Sequence, residues 1–497
     1  MEAKTVCTHC CLLCDLYLEK GREIEGVSFR NPLCPKGILA WRITYHKRRL
    51  LYPMRRKGGY ERISWERALA ILSRKLKAAR SKAALVSGTC SGEEISAVSS
   101  FMRAVRGKLY TSFPTLGLGG ERAGLEEIER CDLIFALGEP FEQFPVLAGR
   151  VLRAKYERGV PLFNLSCRAG PTSWFSQLIQ PKPGTESWVL LHLAKILIER
   201  GLYKKECERE EGFRKLKEFL AGVKEETFEL SGVARSALEV PATALSRSAR
   251  ALILWTPGVS PEWVSNLALL VGAKILVLPG APNATLLQAA GAGPFEGEKV
   301  DVALIFREDP RKIDASFKVL FTTFEESGAD LLLPVPAFTE MSATYTDMEG
   351  RSTTVPPISD PPPKVREIPD ILQRLSEKIR PGISQTKGGP SSETSSGKGF
   401  KITQPQGPPK TDERFPFAVV TQPTYFNPEW KILRPTPEFL ELHPADAGKM
   451  GIKEGDRVVV KSAEGEVERV AKVRPSIPEG VLYVPDFKAL VASLGVR

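Results

Sequence analysis

Four cysteines near the N-terminus constrain the structure of this chain more than any other feature of its sequence. Cys7, Cys10 and Cys14 fall within one short stretch, and Cys34 follows downstream in the run Cys-Pro-Lys-Gly. Thiolates are soft ligands that suit iron–sulfur clusters or zinc. A compact trio with one distant cysteine is typical of a [4Fe–4S] cluster, whereas structural zinc more often uses two matched pairs. The spacing therefore predicts a [4Fe–4S] cluster, with zinc or free thiols as alternatives.

The second ligand of this set has two candidates. Cys11 offers the spacing Cys7-x3-Cys11-x2-Cys14, so either Cys10 or Cys11 can complete the trio. The other cysteines are scattered singly, which is not the pattern of a disulfide framework and favours a reducing compartment. The few residues before Cys7 leave no space for a secretory leader, so we expect a cytoplasmic protein.

Composition excludes several classes of protein. The chain has 497 residues, 42% of them hydrophobic and 26% charged, as expected for several globular domains. No run approaches the ~20 apolar residues of a membrane span, so we expect no transmembrane segment. The net charge of +11 indicates either a solvated basic surface or an anionic ligand. Because no nucleic-acid-binding motif accompanies it, we expect no nucleic-acid partner, and a pyrophosphate-bearing cofactor explains the charge more economically.

The middle of the chain alternates short apolar runs with amphipathic helices. Ser64 is a good N-cap for the first long helix, because apolar residues recur after it at helical spacing. The strand-like runs are 83–86, 133–136, 161–165, 251–255, 273–278, 301–306 and 318–322. Such alternation predicts an α/β fold with parallel sheets covered by helices, and ligands then bind at the loops beyond the carboxyl ends of the strands.

The C-terminal part changes character. Residues 381–413 are rich in Gly, Ser, Thr, Pro and Lys and predict a flexible linker. After it, apolar strands flank the turn Ala463-Glu464-Gly465, which indicates a hairpin in a compact β-barrel. We therefore predict a cluster domain at 1–60, α/β cofactor domains at 61–380, the linker at 381–413 and a barrel at 414–497.

Several residues in loops are candidates for ligand contacts. Lys36 follows Cys34 by two residues and either tunes the cluster or is a surface lysine. Gly138 permits close backbone approach, and the carboxylate of Glu139 can accept hydrogen bonds from a base or ribose, although a plain turn has the same residues. Arg168 suits a phosphate or a structural ion pair.

Three later loops follow the same pattern. Glu186 ends a rigid Pro- and Gly-containing turn, where a carboxylate suits either a guanine edge or a helix N-terminus. Gly258 and Asn283 lie in Gly- and Pro-rich loops after successive strands. Each loop alone is a weak signal, and their shared position after strands is the informative feature.

Together these residues resemble the molybdopterin oxidoreductase superfamily over nearly the whole chain. The resemblance is carried by the cysteine motif, by the stretches 62–68, 329–334, 349–351, 443–447 and 451–456, and by Glu340. Within the superfamily the chain most resembles the tungsten or molybdenum subunit of formylmethanofuran dehydrogenase. The barrel, which is usually a separate small subunit there, would be fused to it through the linker.

The resemblance implies two pyranopterin guanine dinucleotides that grip one molybdenum or tungsten ion, with the cluster near one pterin. It implies formate-level chemistry on a small one-carbon substrate, and ferredoxin-like or flavoprotein electron-transfer subunits in a hetero-oligomer. It places Lys36 between cluster and pterin. The residues it assigns to the dinucleotide pocket are Gly138, Glu139, Arg168, Glu186, Gly258, Asn283 and Asp446.

One departure from the family pattern bears on catalysis. Formate-type members ligate the metal through Cys or selenocysteine followed by His, whereas the corresponding stretch 108–120 contains neither. Ser112 or Thr115 would then supply an oxygen ligand and act as catalytic residues, unless the metal is bound by dithiolene sulfur alone or is absent. The alternative is a cluster-bearing electron-transfer or structural subunit, like the large iron–sulfur subunit of NADH dehydrogenases.

Overall fold

The computed structural model describes residues 2–113, 116–379, 399–422, 428–433, 438–487 and 489–496. Thr115 and the linker residues 381–398 lie outside these ranges. The chain divides into two compact units, each built from separate segments of sequence. The first unit comprises Met1–Leu116, Pro279–Thr394 and Tyr425–Arg434, and the second comprises Gly117–Leu278, Ser395–Thr424 and Pro435–Arg497.

The strands are short, and each run predicted as a strand is one. From the N-terminus they are β1 (Glu2–Val6), β2 (Asp15–Lys20), β3 (Ile24–Ser28), β4 (Met54–Lys57), β5 (Gly59–Arg62), β6 (Lys82–Val86), β7 (Lys108–Thr111), β8 (Leu133–Leu137), β9 (Leu162–Leu165), β10 (Gln177–Ile179), β11 (Ala251–Trp255) and β12 (Lys274–Val277). They continue with β13 (Gly293–Pro294), β14 (Val300–Phe306), β15 (Ala315–Thr322), β16 (Leu331–Pro334), β17 (Ala343–Thr346), β18 (Ser352–Val355), β19 (Phe417–Val420), β20 (Phe439–Leu442), β21 (Arg457–Ser462), β22 (Gly465–Val473), β23 (Val481–Tyr483) and β24 (Val491–Val496).

The helices alternate with the strands of the two sheets. They are α1 (Pro35–Leu39), α2 (Trp65–Ala78), α3 (Gly92–Ala104), α4 (Pro140–Gln143), α5 (Pro145–Arg158), α6 (Glu186–Glu199), α7 (Phe213–Ala221), α8 (Phe228–Ser231), α9 (Arg235–Arg247), α10 (Pro261–Val271), α11 (Ala284–Ala289), α12 (Ile368–Ile379) and α13 (Pro444–Met450). Helix α2 begins as predicted, because the Ser64 hydroxyl caps it by accepting a hydrogen bond from the backbone N–H of Arg67 at 3.2 Å.

The first unit contains an eight-stranded sheet in the order β13-β7-β6-β14-β15-β16-β4-β5. The strands from β13 to β16 are parallel, but β4 runs antiparallel to both β16 and β5. The runs predicted as strands of this sheet, β6, β14 and β15, are parallel as expected, and the sheet is mixed because β4 and β5, which were not predicted, add to it antiparallel. A tight turn at Gly58 joins β4 to β5 and makes this pair antiparallel, whereas the β4–β16 pair joins residues that are far apart in sequence. The boundary predicted at residue 60 falls inside this hairpin.

One face of this sheet carries the largest apolar core of the first unit. Helices α2, α3 and α12 pack there, and their buried residues include Leu69, Leu72, Phe101 and Leu372. Within α2, Leu69 and Leu72 belong to the apolar residues that the sequence predicted at helical spacing. The core fixes the sheet beneath the loops at the carboxyl ends of β6, β7 and β14, where candidate site residues lie.

The second unit combines an all-parallel sheet with a barrel. The sheet has the order β10-β9-β8-β11-β12, and its strands run parallel as predicted. The barrel closes in the order β19-β23-β20-β22-β21-β24, which confirms the predicted C-terminal barrel. Its apolar core includes Leu440, Val458 and Leu482. The predicted hairpin is β21–β22, paired antiparallel from Arg457↔Val470 to Ser462↔Gly465.

Part of the predicted linker makes specific contacts within the second unit. The backbone of Lys401 exchanges two hydrogen bonds with the Asn266 side chain, at 2.6 and 3.1 Å. The Trp263 indole donates to the carbonyl of Thr403 at 3.0 Å. Lys401 and Thr403 therefore contact α10, and residues 399–412 form no helix or strand.

Within the described parts of the chain, no helix has both the length and the apolar character required to span a bilayer.

Candidate functional site

The cysteine trio lies on the loop that joins β1 to β2. These strands pair antiparallel, with Val6 opposite Asp15, so residues 7–14 form the connecting loop. The backbone N–H of Cys7 donates to the carbonyl of Cys14 at 2.8 Å and closes the loop on itself. Cys34 is the residue just before α1, at its N-cap. A short helix begins there because Pro35 occupies its first turn.

The four thiols interact electrostatically. Burial raises the pKa of Cys7 well above its ordinary value, and the neighbouring Cys10, Cys14 and Cys34 raise it further. Burial raises the pKa of Cys10 to about 12, with added contributions from Cys14 and Cys34, while the charge of Lys36 lowers it. Ionising such a group of thiols requires positive charge nearby, which a bound metal cluster would supply.

Cys11 differs from its neighbours in what its backbone contacts. Its N–H donates to the carbonyl of Gly280 at 2.8 Å, and its carbonyl accepts from the N–H of Met348 at 3.2 Å. The thiol is fully buried, and burial is the largest cause of its raised pKa. Cys11 therefore anchors the loop to the chain around it.

The four cysteines are available as ligands. All nine cysteines lie in described residues and are free thiols, and thiolates are the donor type that iron–sulfur clusters use. In the described ranges, no three or more His, Cys, Asp or Glu side chains come close enough to hold one metal ion.

Ser112 lies immediately after β7 and contacts a buried carboxylate. Its hydroxyl donates to Oε2 of Glu308 at 2.5 Å. Glu308 follows β14 and is 3% exposed; its Oε1 accepts from Lys312 Nζ at 3.0 Å and from the N–H of Asp309 at 2.9 Å. Sequence reasoning missed Glu308, although a carboxylate just beyond a parallel strand is a usable signal.

Cys90 lies at the turn between β6 and α3. It is fully buried, and its thiol donates to the carbonyl of Phe306 at 3.6 Å. The following residues form a capping box in which Ser91 and Glu94 bond each other's backbone. Cys90 is thus part of a closed strand-to-helix turn.

In the second unit, Gly138 and Glu139 follow β8. Gly138 has a φ of +83°, and a Cβ there would lie 2.7 Å from the Thr256 hydroxyl oxygen, so only glycine fits. The Glu139 carboxylate is fully buried and accepts from Asn164 Nδ2 at 3.2 Å and from the N–H of Thr172 at 2.9 Å. Burial raises the pKa of Glu139. This carboxylate therefore holds the loop after β9 in place.

Arg168, in that same loop, forms the structural ion pair that was one of its two interpretations. Nε and Nη2 donate to the carboxylate of Glu441 at 3.0 and 3.4 Å, and Nη1 donates to Glu142 at 2.6 Å. The guanidinium lies 3.9 Å from the centre of the Tyr483 ring. Arg168 joins the loops of the sheet to the barrel.

Glu186 is the first residue of α6. Burial raises the pKa of its carboxyl, and the neighbouring Cys167 thiol partly opposes this shift. The preceding turn at Gly184 has a φ of +77° and lies against Pro409 of the extended segment, 3.4 Å from where a Cβ would stand. Glu186, for which the sequence left open a guanine edge or a helix N-terminus, thus lies at a helix N-terminus beside a buried thiol.

The other three predicted pocket residues differ in what surrounds them. Gly258 is exposed at a φ of +147°, with no atom within 4 Å of the point where a Cβ would stand, so the space beside it is open. Asn283 is buried in the first unit, where it donates to the carbonyl of Cys90 and accepts from the N–H of Thr346, both at 2.7 Å. Asp446, on α13, accepts from the N–H of Gly480 at 2.7 Å.

Comparison with known families decides the membership of the chain. A family model described as Molybdopterin oxidoreductase matches residues 49–276 and 319–378, which is more than half of the chain. The chain belongs to the molybdopterin oxidoreductase family. A second model, described as Molydopterin dinucleotide binding domain, matches residues 420–489, within the barrel region. These two matches imply a molybdenum or tungsten pterin cofactor.

Individual members of the molybdopterin oxidoreductase family extend the comparison. The F420-dependent formate dehydrogenase subunit alpha of Methanocaldococcus jannaschii is 23% identical over 97% of this chain and 94% of the relative. Formate dehydrogenase H of Escherichia coli is 26% identical over 59% of this chain and 46% of the relative. The solved structure of acetylene hydratase from Pelobacter acetylenicus matches with a TM-score of 0.74 and 16% identity, covering 97% of this chain and 92% of that chain, which shows a shared fold.

Proposed function

We propose that this chain is the cofactor-bearing subunit of a molybdenum- or tungsten-dependent oxidoreductase of the formate dehydrogenase type. The observation that carries the proposal is the group of four interacting thiols on a chain that resembles, over nearly its whole length, a protein named formate dehydrogenase subunit alpha. Cys7, Cys10, Cys14 and Cys34 would hold a [4Fe–4S] cluster. Cys10 is preferred to Cys11 because its thiol interacts electrostatically with Cys7, Cys14 and Cys34.

The cofactor would be a pair of pyranopterin guanine dinucleotides, which supplies the two-electron chemistry when bound. The role of the chain is to bind and orient it. Gly258 offers an open loop surface, while Glu139 and Glu186 place carboxyl groups at strand and helix ends of the second unit. Arg168, Asn283 and Asp446 are engaged within the protein and would act by positioning these loops.

Lys36 would lie between the cluster and a pterin. Its charge already acts on Cys10 and on His9, so it is close to the cysteine loop. A cation at this position stabilises the additional negative charge of a reduced cluster.

The substrate would be a one-carbon group at the oxidation level of formate, either formate itself or a bound formyl group. The relatives named above are formate dehydrogenases, so formate is the first substrate, and formylmethanofuran is the second. The oxidation of formate releases carbon dioxide, one proton and two electrons. The electrons would leave one at a time through the cluster to a ferredoxin-like or flavoprotein subunit of a hetero-oligomer.

The metal would take an oxygen ligand from the loop after β7. Ser112 is the described candidate, and the buried Glu308 that accepts its hydrogen bond would remove the hydroxyl proton when the oxygen binds metal. Thr115 is the second candidate of this loop.

A second function is favoured by the absence of Cys and His from the sequence 108–120. The chain would then be an electron-transfer subunit that carries the cluster but no catalytic metal. Anaerobic mixing of the purified chain with formate distinguishes the two: a catalytic subunit reduces its own cluster, which appears as an electron paramagnetic resonance signal. If dithionite produces this signal and neither formate nor formylmethanofuran does, the catalytic proposal is wrong and the electron-transfer role stands.

A further inference from the structure

A buried tryptophan lies in the same apolar core as the cysteine loop. Trp430, on the 3-10 turn Pro428–Ile432, is 1% exposed. The core around it contains Cys7 and Phe338, with Cys14 packed against it. The Trp430 and Phe338 ring centroids are 6.1 Å apart. This turn comes from a distant part of the sequence, so its packing against the cysteine loop is a feature of the tertiary structure.

The indole N–H of Trp430 has no hydrogen-bond acceptor among the described residues. A buried indole N–H normally has a partner, because burial removes it from water. Three other indoles follow this rule: Trp65 donates to Lys364, Trp255 to Val259 and Trp263 to Thr403. The indole N–H of Trp188, in the second unit, also has no hydrogen-bond acceptor among the described residues. The Trp188 ring packs against His192.

Trp430 packs against the cysteine loop through the side chain of His9. Its ring centroid is 5.1 Å from that of His9, and His9 lies between Cys7 and Cys10 in the loop. His9 is 1% exposed, so the two rings exclude water from this side of the loop.

The turn that carries Trp430 is held firmly. The carboxylate of the preceding Glu429 accepts from the N–H of Thr323 at 2.7 Å and from Arg307 Nη1 at 3.1 Å. Arg307 is 4% exposed and also donates to Glu94 at 2.9 Å. These bonds fix the position of the indole before any cofactor is bound, as a preorganised donor requires.

We propose that the indole N–H of Trp430 donates a hydrogen bond to a sulfur atom of the cluster held by the four cysteines, and that this bond raises the cluster's reduction potential. The inference rests on the proposed cluster. Hydrogen bonds to cluster sulfur favour the more negative, reduced state and are one of the protein's means of setting the potential. Trp430 is a positioning residue in this role, since it acts on the potential and does not touch substrate.

The test is Trp430→Phe in the full chain, with Trp188→Phe as the matched control. Phe keeps an apolar ring but removes the N–H, and Trp188 is an equally unpartnered indole remote in sequence from the cysteines. Potentials are measured by redox titration followed by electron paramagnetic resonance. Pulsed resonance after exchange into D2O measures the coupling of an exchangeable deuteron to the reduced cluster. We expect Trp430→Phe to lower the potential and to lose one such coupling at unchanged iron content, while Trp188→Phe leaves both at wild-type values.

An unchanged potential together with an unchanged set of couplings in Trp430→Phe overturns the inference. If that variant fails to fold, site-specific replacement of Trp430 by benzothienylalanine keeps the bicyclic shape and substitutes sulfur for the N–H. The same lowered potential is expected, and its absence again overturns the inference. A wild-type chain that binds no iron would instead remove the proposed cluster, which separates the two failures.

Discussion

Arg168 and Glu441 form a two-point hydrogen-bonded ion pair between the parallel sheet and the barrel of the second unit. Arg168 follows β9, Glu441 is on β20, and Nε and Nη2 of Arg168 donate to the two carboxylate oxygens at 3.0 and 3.4 Å. The side chains are 9% and 11% exposed. A guanidinium fork matched to a carboxylate is the strongest form of such a pair, so this contact sets the position of the barrel against the loops of the sheet.

Glu441→Gln should lower the free energy of unfolding by about 3 kcal/mol, because it leaves the buried Arg168 charge partly unpaired. Urea denaturation followed by circular dichroism measures the change. The matched control is Glu129→Gln, whose partner Arg150 lies at 3.6 Å with both side chains about half exposed; an exposed pair contributes only about 0 to 1 kcal/mol. Equal effects of the two substitutions would contradict the structural role of Arg168.

His192 should make the second unit less stable at acidic pH. Its ring is fully buried, stacks 3.9 Å from the centroid of Phe228 and bonds Thr227 Oγ1 at 3.0 Å. Burial, with the charges of Lys195 and Arg235, lowers the pKa of His192 from 6.5 to about 4. The unfolded chain therefore binds a proton that the folded chain does not. Stability is complete above pH 6.5 and falls as the pH drops toward 4, by on the order of 2 to 3 kcal/mol.

The measurement is urea unfolding at several pH values for the wild type and His192→Phe. Carboxyl groups titrate in both proteins, so the difference between the two curves isolates the imidazole. We expect the difference to vary with pH between 6.5 and 4 and to be flat above pH 7. A pH-independent difference would show that His192 is protonated equally in both states.

Single cysteine substitutions should distinguish the ligands of the proposed cluster. Cys10→Ser should abolish the broad visible absorption and most of the bound iron, whereas Cys11→Ser should keep both, since Cys11 contacts other loops through its backbone. Cys207→Ser, at a buried thiol in the second unit, is the control. The assignment is wrong if Cys11→Ser, and not Cys10→Ser, bleaches the protein.

Glu308→Gln should weaken metal binding without affecting the cluster. In the wild type, the Ser112 hydroxyl donates a hydrogen bond to the Glu308 carboxylate at 2.5 Å. The amide of the variant cannot accept the proton of this hydroxyl. Loss of such an outer partner typically costs about 10- to 100-fold in metal affinity or activity. Elemental analysis of the variant should give less molybdenum or tungsten at unchanged iron. A wild-type metal content and formate activity would exclude Ser112–Glu308 as the ligand pair.

Local patterns predicted the elements of the fold, and distant pairings remained hidden. Seven strands of the two sheets, the start of α2 at Ser64 and the barrel hairpin follow from hydrophobic periodicity and from turn residues that lie next to each other in sequence. Strand β4 pairs antiparallel with β16, which is far from it in sequence. No local sequence pattern predicts such a pairing.

For the candidate site, too, the sequence predicted local features but not contacts between distant residues. The cysteine motif is read from spacing alone, and the choice of the loops after the strands as ligand-binding loops stays a prediction. The hydrogen-bond partners of these loop residues were not predicted. Arg168 bonds Glu441, 273 residues away in sequence, and Ser112 bonds Glu308, 196 residues away. One sequence contains no information about such pairs beyond the chemistry of each residue, so Arg168 remained divided between phosphate and ion pair.

The central claim is that this chain carries a cluster and a metal–pterin cofactor together. The most direct test is elemental analysis of the anaerobically purified full chain for iron, molybdenum, tungsten and zinc, with pterin fluorescence on the same sample. We expect about four irons, one molybdenum or tungsten and two pterins per chain. Iron without molybdenum, tungsten or pterin would contradict this claim and would identify the chain as an electron-transfer scaffold.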